Sequence, residues 1–255
     1  MENITFWAAV RTTFTRSAAF LTALPILGLV IVAVEGFQHV VESLDGMYAS
    51  RAGMVSAGSD PHRLIAGTLK VFWLLLVGFW VIRFVASGSA RVATRPSQTA
   101  IRRFAVVLLI MAVFSLMAIW PPALFAPGSQ EHRQAVIAAG LAQLVTFPLG
   151  IALTPWLVGA ALADRRAGPG FAIRRAWGSI WWALGVNLVV VLPLMVPHYV
   201  LSFLAVGKPA PVAGLILAID ALLVGYLGVV IGAVNVPVAA RMAQRAGERL
   251  EVDPA

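Results

Sequence analysis

Six long apolar runs, nearly free of charge, leave this chain few ways to fold. They cover about residues 17–34 with a continuation toward 41, then 64–82, 104–120, 135–163, a stretch within 176–207, and 211–240. A helix needs ~20 mostly apolar residues to cross ~30 Å of hydrocarbon. The chain is 60% hydrophobic and 12% charged, with a mean hydropathy of +0.88. A soluble globular domain carries roughly 25% charged residues. A water-soluble domain and a disordered chain are both excluded on that ground. The runs lack strand-like alternation, and several exceed the ~10 residues of a membrane barrel strand. The expected fold is all-α: a polytopic membrane protein with six transmembrane helices. One domain is expected over residues 1–245, followed by a polar cytoplasmic tail at 246–255.

The first run is read as a retained helix rather than a signal peptide. Arg11 and Arg16 sit well inside the chain, the apolar stretch is long, and Val32-Ala33-Val34-Glu35 is a poor cleavage site.

Charge placement gives the orientation. The formal charge is +8, and seventeen of the nineteen cations are Arg, most of them in short connectors. Fourteen fall on the side of Arg11, Arg83, Arg102, Arg165 and Arg241; five fall on the other, at Arg51, Arg63, Lys70, Arg133 and Lys208. The positive-inside rule then puts both termini in the cytoplasm and the chain in a cell inner membrane. Trp177, Trp181 and Trp182 would belt the inner interface, and Trp120 and Tyr199 the outer one. No basic and aromatic window lies outside an apolar run, so nucleic acid is not an expected partner. Membrane lipids are, together with other membrane subunits or further copies of the chain. The absence of Cys removes disulfides, Cys-ligated zinc and iron–sulfur clusters.

A repeat is visible in the connectors. Ala100-Ile101-Arg102-Arg103 returns as Ala172-Ile173-Arg174-Arg175, an offset that also carries Pro121 onto Pro193. A weaker copy, Ala9-Val10-Arg11, precedes the first run. Three helical hairpins are inferred, each entered by a short basic amphipathic helix at the membrane surface. The run Phe171-Ala-Ile-Arg-Arg-Ala-Trp-Gly-Ser-Ile-Trp-Trp resembles the segment before the fifth span in bacterial six-span inner-membrane proteins. That group includes the membrane domain of some glycerophosphodiester phosphodiesterases. The resemblance implies a six-span fold and a membrane. The phosphodiesterase chemistry of those fusions belongs to a separate soluble domain.

Ionisable groups inside spans are costly and mark functional candidates. Glu35, His39 and Glu42 follow helical steps of four and three, which puts them on one face. With the helix counted from Ser17, Glu35 falls near the outer interface. All four histidines, His39, His62, His132 and His198, map to the outer side. Imidazole with carboxylate can hold a divalent metal, here through His39, Glu42 and His198. His39 and His198 could alternatively ligate haem, or one of them a pigment. The face could equally be a solvated helix extension, or a proton or substrate site. Lys70 and Asp220 are interior charges of opposite sign at comparable depth and are expected to pair. Otherwise Lys70 snorkels outward and Asp220 bonds to Asn187. Glu35, His39, Glu42, Lys70, Asn187, His198 and Asp220 are therefore the candidate ligand or proton site, and no catalytic residue is assigned. Gly228 and Gly232 form a Gly-x-x-x-Gly packing signal. No phosphate loop, zinc-protease His-Glu-x-x-His, nucleotide fingerprint or Gly-x-Ser-x-Gly elbow occurs. The expected function is non-enzymatic: a lipid-interacting scaffold, accessory subunit or transport component, with no cofactor expected. The alternative is a metal- or haem-dependent membrane enzyme or redox protein using the outer His and carboxylate cluster.

Overall fold

The structure, a computed structural model, describes residues 4–125 and 128–250, without the side chains of Ala118 and Pro122. Its helices, in chain order, begin with α1 (Phe6–Ala23), α2 (Pro25–Leu44), α3 (Arg51–Ala57) and α4 (Pro61–Ser87). They continue with α5 (Ala90–Thr94), α6 (Gln98–Ile119), α7 (Gln130–Ala152) and α8 (Thr154–Ala161). The last three are α9 (Pro169–Ala176), α10 (Ile180–Ala205) and α11 (Ala210–Arg245). No strand occurs among the described residues. Among the described residues, six helices, α2, α4, α6, α7, α10 and α11, are long and apolar enough to cross a membrane. The chain is an all-α, multi-pass integral membrane protein.

Two expected spans are divided by proline. Pro25 has no N–H to donate and disfavours a helical residue before it. Leu24 leaves the helix with φ −136° and ψ 57°, and α2 starts afresh with Pro25 in its first turn. The first span is therefore α2, not a helix from residue 17. The helix before it, α1, lies across the bundle. Its Phe6 stands edge-on to Trp182 of α10 at 6.3 Å and its Phe20 edge-on to Phe84 of α4 at 5.6 Å. Both partners sit in the turns nearest the chain termini. Ala9, Val10, Thr13, Ser17 and Phe20 form its buried stripe, while Trp7 and Arg11 face outward. The fourth run breaks likewise: α7 ends at Ala152, and α8 carries Pro155 in its first turn.

We call the end of the bundle bearing both termini the terminal end and the other the far end. Each odd-numbered span, α2, α6 and α10, follows a shorter helix, α1, α5 or α9. The repeated Arg pairs nevertheless occupy unlike elements. Arg102 and Arg103 belong to the first turns of α6 itself, whereas Arg174 and Arg175 close α9 before a break at Trp177.

At the centre stands α11, packed against α1, α2, α4, α8 and α10. Small residues permit this. A Cβ placed on Gly228 would meet Ile31 of α2 and Leu74 of α4, and one on Gly232 would lie 3.0 Å from Val81 Cβ of α4. The Gly228 and Gly232 pair thus serves contacts within the chain. In contrast, α6 and α7 bury residues only toward the terminal end, and at the far end Trp120, which caps α6, donates its indole N–H to Thr68 Oγ1 of α4 at 3.0 Å. The buried residues of α6 are Ala100, Phe104, Val107 and Leu108, and α7 buries only Ile151 among the described residues. Their far halves bury no described residue.

The terminal end is closed by polar clamps. The wholly buried Arg83 guanidinium donates to the Val92 carbonyl of α5 and the Ala161 carbonyl of α8. Ala163 adopts φ +61° in the turn that follows α8. Next to it, Asp164 accepts from the Arg166 side chain at 3.1 Å and from its backbone N–H at 3.0 Å. Burial works to raise the Asp164 carboxyl, but these Arg166 bonds outweigh it and hold the group below the usual carboxylate range. Glu248 pairs with Arg166 and Arg175, Arg166 also donates to the Arg249 carbonyl, and Leu250 packs on the core. Residues 246–250, in the expected polar tail, are tied to the bundle; 251–255 lie outside the described residues.

Candidate functional site

Counting from Pro25 changes the depth of the polar face. Glu35 lies ten residues into α2, or ~15 Å along its axis. That is the middle of the 20-residue helix, not its edge. The helix continues past His39 and Glu42 to Leu44, so all three side chains share one continuous face, and all are buried. Their surroundings are the neighbouring helices rather than solvent.

His39 is the hub. Its Nδ1 lies 3.1 Å from Glu42 Oε2 and 3.0 Å from the Tyr48 hydroxyl. Its Nε2 lies 3.0 Å from Asp220 Oδ2 on α11 and 3.5 Å from Glu35 Oε1. On the far side of Asp220, His198 of α10 brings Nδ1 to 2.9 Å from both carboxylate oxygens. One imidazole on α2 and another on α10 thus converge on a single carboxylate of α11.

The remaining charges are paired around this hub. Lys70 of α4 sits 3.0 Å from Glu35 Oε2. Arg63, one turn into α4, donates Nε–H to Glu42 Oε1 at 3.0 Å. Glu42 also accepts from Gln38 Nε2 at 2.7 Å and from Tyr48 at 2.6 Å. Burial, with the Glu42 charge beside it, pushes the Tyr48 phenol far up, so it stays a donor. The chain reaches Tyr48 through a turn at Gly46, whose φ of +75° suits glycine. Gly207 N–H then donates to the Tyr48 carbonyl at 2.8 Å, pinning this turn to the end of α10.

Several expectations change. Lys70 and Asp220 do not pair: Lys70 takes Glu35, and Asp220 takes the two histidines. Asn187 is not a partner of Asp220, since its amide bonds back to the Ala183 carbonyl on its own helix. His39, Glu42 and His198 do not converge as a ligand set. Glu42 faces Nδ1, on the opposite ring edge from Asp220, and His198 turns to Asp220. The convergent buried trio is Glu35, His39 and Asp220, whose ligand atoms all lie within 4.8 Å of one another. A second trio, Asp45, Asp60 and His62, lies toward the surface of the far end. His132 sits apart, at the start of α7.

Gln38, Tyr48 and Arg63 were not singled out from the sequence. Gln38 had a readable signal, because it lies three residues after Glu35 and four before Glu42. Tyr48 approaches from the connector after α2 and Arg63 from the first turn of α4, and neither had one.

A cavity of about 310 Å³ adjoins the cluster, lined among others by Glu35, His39, Arg63, Lys70, His198 and Ser202. Its walls are α2, α4 and α10, with Met47 and Met54 toward the far end. Tyr199 and Phe203, also in its lining, are more than half exposed on the lipid side of α10. On the other side of His39, a mainly apolar groove of about 320 Å³ runs between α2 and α11 past Gly36, Gly214 and Ala218. His39 is thus reached from both cavities.

Comparisons with protein-family models, characterised proteins and solved structures find no match for this chain.

Proposed function

We propose that the protein is a non-enzymatic transport component of a cell inner membrane, embedded in lipid with both termini on the cytoplasmic side. The cavity beside Glu35 and His39 is its solute-binding site. The observation that carries this reading is a charged cavity of about 310 Å³ among the transmembrane helices, in the far half of the bundle. Burying ions there is costly, and well-packed apolar residues give a bundle equal or better stability. Charges retained at such depth point to a polar cargo.

The sign of the cargo follows from the inventory. Three carboxylates, Glu35, Glu42 and Asp220, face two fixed cations, Lys70 and Arg63. A proton on one imidazole brings the cluster to balance, and a cation-bearing solute can take the place of that proton. The far halves of α6 and α7 expose apolar side chains such as Met117, Ile137 and Leu141, so lipid belongs to its working environment.

A thermal-shift panel of small cations and anions on the detergent-purified protein tests the reading. A ligand at ~100 times its dissociation constant stabilises by about 2.7 kcal/mol. The reading requires at least one cation to raise the melting temperature of the wild type and not of Asp220→Asn. A panel in which anions alone stabilise, or in which Asp220→Asn responds like wild type, rejects it.

A further inference from the structure

We propose that Glu35, His39 and Asp220 form a binding site for a divalent transition-metal cation, with zinc as the reference ion. The assignment rests on the same cavity being a binding site, and it names the class of cation.

Geometry comes first. Zinc bound at ~2.0–2.2 Å to nitrogen and oxygen in a tetrahedron sets its ligand atoms about 3.4 Å apart. His39 Nε2 lies 3.0 Å from Asp220 Oδ2 and 3.5 Å from Glu35 Oε1. Two carboxylates and one imidazole are the donor types that zinc and its neighbours accept. A fourth position remains for water or a solute from the cavity.

The surroundings match the support such ligands need. A metal-bound histidine donates its other ring N–H to a carboxylate or carbonyl, which fixes the tautomer and aims the ligating nitrogen. Glu42 holds that place at His39 Nδ1, and is itself fixed by Tyr48, Gln38 and Arg63. His198 anchors Asp220, and Lys70 anchors Glu35. Every ligand therefore has a partner behind it, on another helix for Glu35 and Asp220 and one turn along α2 for His39.

A second observation points to a ligand independently. Glu35 is wholly buried, yet its Oε2 receives no aligned hydrogen bond. Lys70 approaches it at 3.0 Å but directs its hydrogen bond to Oε1 at a long 3.4 Å. Gln38 Oε1, on the same helix face, is also buried without a donor. Gln38 Oε1 has no donor and Glu35 Oε2 has the Lys70 ion pair alone; buried acceptors so incompletely satisfied cost free energy that a bound cation recovers. The Asp45, Asp60 and His62 trio also has a buried carboxylate oxygen without a donor, Asp45 Oδ2, but its His62 is mostly exposed to solvent. It serves as the control.

The test is metal content and cobalt spectroscopy of the purified full-length chain in detergent. The metal-stripped protein is titrated with Zn²⁺ and Co²⁺. The expected result is one equivalent per chain, with Co²⁺ giving the intense visible bands of a four-coordinate site. Asp220→Asn and Glu35→Gln, which keep shape, should each weaken binding at least 100-fold. Glu42→Gln, behind the ligand, should weaken it about 10- to 100-fold. His62→Ala should leave it unchanged. Size-exclusion profiles identify any variant that has lost its fold, and the remaining substitutions then decide. No stoichiometric metal in the folded wild type overturns the proposal. So does binding lost in His62→Ala and kept in Asp220→Asn. Metal bound here without any transport activity would keep this site and remove the transport reading. Cation-driven transport without metal binding would do the reverse.

Discussion

His39 on α2 and Asp220 on α11 are separated by 181 residues of chain and meet at 3.0 Å inside the far half of the bundle. Through this contact the first span is fixed to the last, and His198 extends the link to α10. Removing one partner from a buried charged pair leaves the other uncompensated, at a cost of about 3–5 kcal/mol. Asp220→Ala should lower the melting temperature of the detergent-purified protein markedly. Asp45→Ala, whose partner His62 is mostly exposed, should change it little. Equal effects would show that the buried link contributes nothing special.

The helix packing supplies a second expectation. Val81 Cβ and Gly78 Cα surround the place a Cβ would take on Gly232, at 3.0 and 3.4 Å. Neither atom is the end of a flexible side chain. Gly232→Ala should therefore destabilise by about 1–3 kcal/mol, the usual range for overpacking. At Gly36 nothing lies within 4 Å of an added Cβ, so Gly36→Ala should be neutral or slightly stabilising. Thermal unfolding of the two variants side by side reads the difference.

At the terminal end, the Asp164 carboxylate carries a pH dependence. Its native pKa lies below the ordinary value, and in the unfolded chain it returns to ~3.9. The stabilisation is thus complete above about pH 4 and fades as the pH falls through the lower native value. Asp164→Asn should lower the melting temperature at pH 7, and the two proteins should converge under strong acid. A gap that widens on acidification would contradict the Arg166 clamp.

Topology is open to labelling. Ser129 caps α7 at the far end, and Ala167 lies in the turn between α8 and α9 at the terminal end. With a membrane-impermeant maleimide on intact cells, a cysteine at Ser129 should label and one at Ala167 should not. The opposite pattern would invert the proposed orientation.

The spans were legible because apolar runs of this length have one solution in lipid. Their joints were less so. Hydropathy runs smoothly across Leu24-Pro25 and Leu153-Thr154-Pro155, while the backbone does not, since proline removes a donor and constrains its predecessor. The shared face of Glu35, His39 and Glu42 was readable from helical steps alone. Their partners were not. Lys70 and Asp220 have matching depth and opposite sign, but depth says nothing about azimuth, and α2 stands where Lys70 meets Glu35 first. Likewise Arg174 and Arg175 repeat the letters of Arg102 and Arg103 without repeating their place, because Gly178, at φ +78°, follows only the second pair and breaks the helix there.

The most direct test of the central reading is charge movement on a solid-supported membrane carrying proteoliposomes. Concentration jumps of monovalent and divalent cations are applied to wild type, Asp220→Asn and protein-free liposomes. The cavity reading requires a transient current for at least one cation in the wild type, saturating with concentration and absent in Asp220→Asn. Wild-type traces that match protein-free liposomes for every cation would contradict it.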